Sequence, residues 1–295
     1  MPDTLSLADA DIGAYLAGIG LEGIIDIHVH FMPDNVMRKV WRYFDEAGPL
    51  VGAQWVVKYQ LSEAERIALL RDVGVLRYGA LSYPHKANMA LWLNEWAAAF
   101  ALANPQSFHC ATFYPEVGAH DYVRSAVAAG AQLFKAHVQV GAYDPRDPLL
   151  EPVWQVLEDG QVPVIIHCGA GPTPGKFTGI GPISEVLGNF PRLVAVIAHM
   201  GNPDYGAFLD LAKVFPNVHL DTTMVFTDFT ESKAPFPRQL RGRLVEMAER
   251  IVFGSDFPNI PYPFADQIAA LANLDLGDEW MRQVLYGNPA RLMNI

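Results

Sequence analysis

Two histidines separated by one residue, His28 and His30, close a short apolar run that begins at Ile24. Side chains alternate between the two faces of a β-strand, so both imidazoles point the same way at the carboxyl end of this strand. Imidazole nitrogens are common ligands of divalent metals, and the pair is therefore a candidate metal site. The pair alone is weak support, because a strand-end histidine more often packs or forms a hydrogen bond.

Three further residues with ligand-type side chains occupy the same place in later strand patterns. His167, His199 and Asp256 each follow a nearly all-apolar run. A carboxylate beside a buried strand needs a cation, a proton or several hydrogen-bond donors to offset its desolvation. Asp256 can instead cap a following helix. The repetition of ligand-type residues at strand ends favours a metal site.

Short β-rich runs alternate with longer amphipathic segments from residue 24 to the end of the chain. The predicted strands cover residues 23–29, 77–82, 108–113, 132–138, 162–167, 193–199, 218–221 and 250–255. The first long helix is predicted over residues 62–73, where Ser62 and Glu65 have the spacing of a capping box. Eight strands with helical crossovers predict an α/β fold, the parallel (β/α)8 TIM barrel, whose strand ends meet at one rim.

The 295 residues contain neither a Ser/Gly-rich linker nor a fixed-period repeat, so we predict one barrel domain over residues 1–295. The segment 31–60 is much longer than the about two to six residues of a typical βα loop. We therefore expect an insertion loop there. Its aromatic residues suit a lid or the contact of a homo-oligomer.

The composition limits the compartment and the partners. Hydrophobic residues make up 51% of the chain and charged residues 18%, which argues against disorder. The net charge of −11 and the absence of a Lys/Arg run disfavour nucleic-acid and anionic-membrane partners. The first residues do not resemble a signal peptide, and no run reaches the roughly 18 apolar residues of a membrane span. These features predict a cytoplasmic protein that acts on a small molecule, which can be anionic.

Five ordered segments resemble the amidohydrolase superfamily, in the branch grouped as amidohydrolase family 2. They span nearly the whole chain and cover residues 26–30, 164–167, 197–201, 253–258 and 287–292. The resemblance implies a (β/α)8 barrel of the metal-dependent hydrolase type, with one divalent ion per chain. That ion is most often Zn²⁺, with Mn²⁺ as the other option, and its implied ligands are His28, His30, His167 and Asp256. His199 is the implied catalytic histidine beside the ion.

Three basic residues are candidates for binding the substrate: Lys135, His137 and Lys176. By strand alternation Lys135 and His137 share a face. A buried Lys135 would pair with a carboxylate, lie near a substrate anion or bridge two metals, since uncompensated burial is costly. The bridging role belongs to the binuclear amidohydrolases, whereas the branch that this chain resembles is usually mononuclear.

Two reactions are compatible with these residues, and we expect hydrolysis of a small lactone, ester or amide. A metal-activated water would attack the carbonyl carbon while Asp256 accepts the proton. The Gly-rich segment 168–181 favours this reaction, because its N–H groups can stabilise an oxyanion.

The alternative reaction is non-oxidative decarboxylation of an aromatic or muconate-type acid. Residues 135–154 are similar to the aminocarboxymuconate semialdehyde decarboxylase group, although that group usually has proline where this chain has Cys168. A catalytically inactive, ligand-binding barrel is a third interpretation.

Overall fold

The computed structural model describes residues 4–48, 52 and 54–295. The chain forms two compact units. We name the first the terminal unit, which comprises Met1–His30, Asp34–Tyr78 and Thr222–Ile295. The second, the central unit, comprises Phe31–Pro33 and Gly79–Asp221. The single domain over residues 1–295 stays a prediction.

The terminal unit is built around strand β1, Ile24–His30, in which every residue is buried. Its backbone is bonded on both edges, because Ile24 N–H donates to Gly74 O and Ile27 N–H donates to Phe253 O. A strand that is covered on both faces is normally an almost continuous apolar run. The polar side chains of β1 are therefore exceptions that need a chemical reason.

The central unit contains five adjacent parallel strands. In spatial order they are β4 (Cys110–Thr112), β5 (Leu133–His137), β6 (Val164–His167), β7 (Ala195–Ile197) and β8 (Val218–Asp221). The register places His137 directly beside His167. Because the strands are parallel, their carboxyl ends and the residues that follow them lie at one edge of this sheet.

The remaining elements are short or helical. The other strands are β2 (Val75–Leu81), β3 (Ser107–Phe108) and β9 (Ile251–Val252). Among the described residues of the terminal unit, α-helices are formed by Ile12–Gly18, Asp34–Glu46, Glu63–Asp72, Asp228–Glu231, Arg241–Glu246, Phe264–Ala272, Asp278–Arg282 and Asn288–Leu292. The α-helices of the central unit are Ala90–Ala103, Ala119–Ala128, Val138–Gly141, Glu151–Gly160, Ile180–Asn189 and Tyr205–Val214.

The predicted strands all have counterparts, with differences at their ends. The run predicted over 108–113 forms β3 and β4, with half-buried His109 between them. The run predicted over 193–199 ends as a strand at Ile197, and His199 lies in a 3-10 turn. The capping box at Ser62 is confirmed, since Ser62 and Glu65 exchange hydrogen bonds between side chain and backbone.

The predicted insertion after β1 contains the helix Asp34–Glu46, and its residues 49–51 and 53 lie outside the described part of the chain. Beyond them, the Trp55 indole donates to Asn259 O at 2.6 Å. This bond anchors the segment to the turn that follows Asp256. Among the described residues, no helix combines the length and the apolar character needed to span a membrane.

Asp9 caps a helix that is distant in sequence. The helix Phe264–Ala272 follows Pro263, which provides no side-chain cap. Instead, Asp9 accepts hydrogen bonds from Ala265 N–H at 2.8 Å and from the Tyr59 hydroxyl at 2.6 Å. The Tyr59 hydroxyl in turn accepts from Phe264 N–H at 2.7 Å. Burial and the bond to Asp9 raise the pKa of Tyr59, so its hydroxyl remains a donor.

We expect Asp9→Ala to lower the free energy of unfolding by about 2 kcal/mol, because it removes a charged cap and two hydrogen bonds. Urea denaturation measures the loss. Asp9→Asn keeps the acceptor oxygen and should lose less. A change below about 0.5 kcal/mol, the usual range of surface substitutions, would show that the cap does not stabilise the helix.

Candidate metal centre

The structure brings together three of the predicted ligands. The ligand atoms of His28, His30 and Asp256 all lie within 4.8 Å of one another. His30 Nε2 is 2.9 Å from Asp256 Oδ1, and His28 Nε2 is 3.6 Å from the same oxygen. The three residues are only 1%, 3% and 7% exposed, respectively. They form a closed cluster, which we name the ligand triad.

The backbone around Asp256 aims its carboxylate at the histidines. Asp256 N–H donates to His28 O at 2.9 Å, and His30 N–H donates to Phe257 O at 2.7 Å. Asp256 has a φ of 68°, in the left-handed region that is uncommon outside glycine and is often found at functional sites. The next helix begins only at Phe264, so Asp256 turns toward the imidazoles and does not cap a helix.

Two more residues, Asp26 and Thr223, form hydrogen-bond contacts with residues of the ligand triad or with their neighbours. Asp26 Oδ1 accepts hydrogen bonds from the backbone N–H groups of His28 and Ser255, each at 3.1 Å. Thr223 Oγ1 lies 3.0 Å from His28 Nδ1. The sequence pattern predicts a role for neither Asp26 nor Thr223. The available signals were the position of Asp26 on the histidine face of β1 and that of Thr223 just after a predicted strand.

The ligand triad fits a divalent ion. Metal–nitrogen bonds of about 2.0–2.1 Å in tetrahedral geometry separate neighbouring ligand atoms by about 3.4 Å. The two separations from Asp256 Oδ1, 2.9 and 3.6 Å, lie on either side of that value, and all three ligand atoms are within 4.8 Å of one another. Two imidazoles and one carboxylate form a donor set that suits Zn²⁺, and imidazole and carboxylate ligands also bind other first-row metals. An ion would also offset the desolvation of the buried Asp256 carboxylate.

The other predicted histidines form a second cluster, in the central unit. The rings of His137 and His167 are stacked, with centroids 4.1 Å apart and an interplanar angle of 12°. The His199 ring meets His167 edge-on at 4.8 Å. His167 Nε2 lies 3.0 Å from Gly171 O, and a carbonyl can only accept. Nε2 is therefore the donor, and Nδ1 carries the lone pair of a neutral His167 ring.

His199 is held by its backbone. Its N–H donates to the carboxylate of buried Asp221 at 2.7 Å, and its φ is 54°. The left-handed turn follows strand β7 directly, so it fixes the direction of the ring. Asp221 was not singled out in the sequence. Its position as the last residue of the predicted strand 218–221 was the only signal.

The two candidate lysines have different environments. Lys135 is 1% exposed on β5. Burial raises the pKa of the Cys168 thiol to about 12, and the charge of Lys135 acts against that rise. Lys176 is exposed near Asp144, whose carboxyl pKa is lowered mainly by Arg146 and less by Lys176. Substrate binding by these lysines, and metal bridging by Lys135, stay predictions.

Several N–H groups of the Gly-rich segment 168–181 form hydrogen bonds within the central unit. Gly171 N–H donates to Asn202 O at 2.9 Å, and Gly179 N–H donates to Cys168 O at 2.7 Å. Gly175 N–H donates to the Thr178 hydroxyl at 2.9 Å. These three N–H groups are already bonded and are not available to stabilise an oxyanion. The Gly-rich segment therefore supports hydrolysis less strongly than its sequence suggests.

The family is established by the sequence itself. The profile of the amidohydrolase family matches residues 25–295, and the chain belongs to this family. The family predicted from the five segments is thereby confirmed. A search of curated proteins finds no match.

Solved structures share the fold over nearly the full chain. An uncharacterized TIM-barrel protein from Bordetella bronchiseptica has 20% identity and a TM-score of 0.67, with 92% of this chain and 98% of that chain covered. A probable 2-pyrone-4,6-dicarboxylic acid hydrolase from Acinetobacter baumannii, with citric acid bound, has 14% identity and a TM-score of 0.63, with 92% and 100% covered.

A 5-carboxyvanillate decarboxylase from Novosphingobium aromaticivorans also shares the fold of this chain. It contains manganese and 4-hydroxy-3-methoxy-5-nitrobenzoic acid, and it has 14% identity and a TM-score of 0.61, with 94% of this chain and 97% of that chain covered. These likenesses show the fold, which is the predicted (β/α)8 barrel.

Proposed function

We propose that this chain is a metal-dependent enzyme that removes carbon dioxide from a small organic acid without oxidation. The observation that carries the metal-dependent part of the proposal is the ligand triad, His28, His30 and Asp256, buried at the end of β1. Family membership supports an enzyme, and the donor set supports a divalent ion. A Zn²⁺ or Mn²⁺ ion, one per chain, is the proposed cofactor, and His167 remains a predicted further ligand.

Three observations bear on the choice between decarboxylation and hydrolysis. The amides of Gly171, Gly175 and Gly179 are already bonded within the central unit, which weakens the case for acyl transfer. The buried Lys135 side chain suits a substrate that carries a carboxylate, and this holds for either reaction. The similar decarboxylase contains an aromatic acid, which agrees with a substrate of this class.

Each step of the proposed decarboxylation has candidate residues in this chain. When bound, a divalent ion supplies a Lewis acid that polarises substrate oxygens. The bond between the substrate carbon and its carboxylate breaks, carbon dioxide leaves, and the electron pair stays on the carbon. His199 or Asp256 then delivers a proton to that carbon. Lys135 and His137 are proposed to hold a carboxylate or hydroxyl of the substrate.

Hydrolysis is the second candidate, and the likeness to the probable 2-pyrone-4,6-dicarboxylic acid hydrolase favours it. In that reaction Asp256 takes a proton from the attacking water and returns it to the leaving group. The same triad serves both reactions, so the substrate decides between them.

A paired assay separates the two reactions. The protein, loaded with Mn²⁺ or Zn²⁺, is incubated with 5-carboxyvanillate and related aromatic acids, and separately with 2-pyrone-4,6-dicarboxylate and simple esters. We expect carbon dioxide release from an aromatic acid, with deuterium from D₂O at the vacated carbon. Hydrolysis with ¹⁸O from labelled water and without carbon dioxide release would overturn this choice. His30→Ala is the control for contaminating activity.

Metal analysis of the same samples tests the cofactor. One ion per chain supports the mononuclear site, whereas two ions would favour a bridging Lys135. A loaded protein that binds these acids but converts none of them would favour the inactive, ligand-binding interpretation. Cytoplasmic location and a homo-oligomer stay predictions.

A further inference from the structure

We propose that Thr223 is a positioning residue for the metal centre, which it serves by fixing the ring of His28. This inference rests on the proposed metal site and adds a residue to it. Thr223 Oγ1 lies 3.0 Å from His28 Nδ1, and the two side chains are buried, with Thr223 0% and His28 1% exposed. The other ring nitrogen, Nε2, is the one that lies near the Asp256 carboxylate, at 3.6 Å.

The hydroxyl can select the tautomer of His28. A neutral imidazole carries one hydrogen, and only the nitrogen without it can bind a metal. If Nδ1–H donates to Thr223 Oγ1, Nε2 keeps its lone pair on the side of Asp256. Such a bond also restricts rotation of the ring, which is how outer partners of metal-binding histidines generally act.

The surrounding backbone is shaped to keep this pair together. Gly254 leaves no room for a side chain, since a Cβ there would overlap the Thr223 hydroxyl and lie 2.7 Å from the His28 Cβ. Asp26 ties the backbone of His28 to that of Ser255, the next residue after Gly254. The contact between Thr223 and His28 is therefore set by three separate segments of the terminal unit.

Thr222 offers a matched control. It is also 0% exposed, and its hydroxyl has no hydrogen-bond partner within the described part of the chain. Thr222→Val and Thr223→Val make the same chemical change at neighbouring buried positions, and only the second removes a group that contacts His28. General effects of replacing a buried threonine should appear in both variants.

The test measures metal affinity by competition with a chelator of known affinity for Mn²⁺ or Zn²⁺. We expect Thr223→Val to bind about ten- to a hundredfold more weakly, as is typical when an outer partner of a ligand is lost. Thr223→Ser should recover most of the affinity, and Thr222→Val should match the wild type. Equal binding by Thr223→Val and wild type, or an equal loss in Thr222→Val, would overturn the proposal.

A second measurement is made on the wild-type protein and needs a folded variant only to assign the signal. Nitrogen NMR of ¹⁵N-histidine-labelled wild type, with the His28 signal assigned by its absence in His28→Gln, reports the tautomer. We expect the hydrogen on Nδ1, and a His28 with hydrogen only on Nε2 would contradict the role of Thr223. If the wild type binds no metal at all, the proposed metal site fails, and this outcome is distinct from a wild type that binds as tightly as Thr223→Val.

Discussion

A His30→Ala variant is expected to fold, to lose the divalent ion and to lose about a thousandfold in turnover. His30 Nε2 is 2.9 Å from Asp256 Oδ1 within the ligand triad, so its removal leaves one imidazole and one carboxylate. Metal ions supply several kcal/mol of charge stabilisation in a transition state, and each 1.36 kcal/mol corresponds to about a factor of ten in rate.

The measurement is elemental analysis of the purified variant together with its kcat/KM. His120→Ala is a matched control, because its side chain is 39% exposed and lies outside both histidine clusters. It should keep both metal and activity. A His30→Ala protein with a full complement of tightly held metal would exclude the ligand triad as the metal site.

The same analysis applied to His167→Ala tests the further ligand that the family resemblance implies. Loss of the ion from this variant would support a ligand set of His28, His30, His167 and Asp256. Retention would restrict the protein ligands to the triad. Thermal unfolding of each variant separates loss of a ligand from loss of the fold.

The strands of this fold could be predicted because most are apolar runs of a length that buried parallel strands require. Their ends were harder to predict. β7 stops at Ile197 although the apolar run continues to Ala198, because the chain turns into the left-handed region at His199. Hydrophobicity does not report φ, so the sequence pattern could not show this turn.

The ligand triad was partly predictable for a geometric reason. Strand alternation alone places His28 and His30 on one face. The approach of Asp256 depends on its φ of 68° and on the bonds between its segment and β1, which are long-range features. The strand-end position of Asp256 made it a candidate, whereas its contact with the histidines required the structure.

The roles of residues that act through another residue could not be predicted from the sequence. Thr223 and Asp221 follow or end a strand, where polar residues are common and usually contact solvent or backbone. The glycines of segment 168–181 were misleading for a similar reason. A glycine permits close approach of the backbone, but its partner is decided by distant residues such as Asn202.

Replacement of His199 is expected to give the opposite pattern to replacement of His30, with the metal kept and turnover lowered. His199→Asn is the better variant, because asparagine tolerates the left-handed backbone at φ 54° more readily than alanine does. The N–H of residue 199 can still donate to Asp221. A general acid or base contributes about 10²- to 10⁴-fold to a rate, so kcat should fall by that factor.

The decisive comparison for His199→Asn is kcat against metal content, and added imidazole should restore part of the lost rate. The restoration distinguishes a missing proton carrier from a distorted fold, since free imidazole can replace only the former. His109→Asn is a suitable control, because His109 is a half-exposed residue between β3 and β4. An unchanged kcat in His199→Asn would exclude His199 as the proton donor and leave Asp256 in that role. Loss of the metal would instead make His199 a ligand.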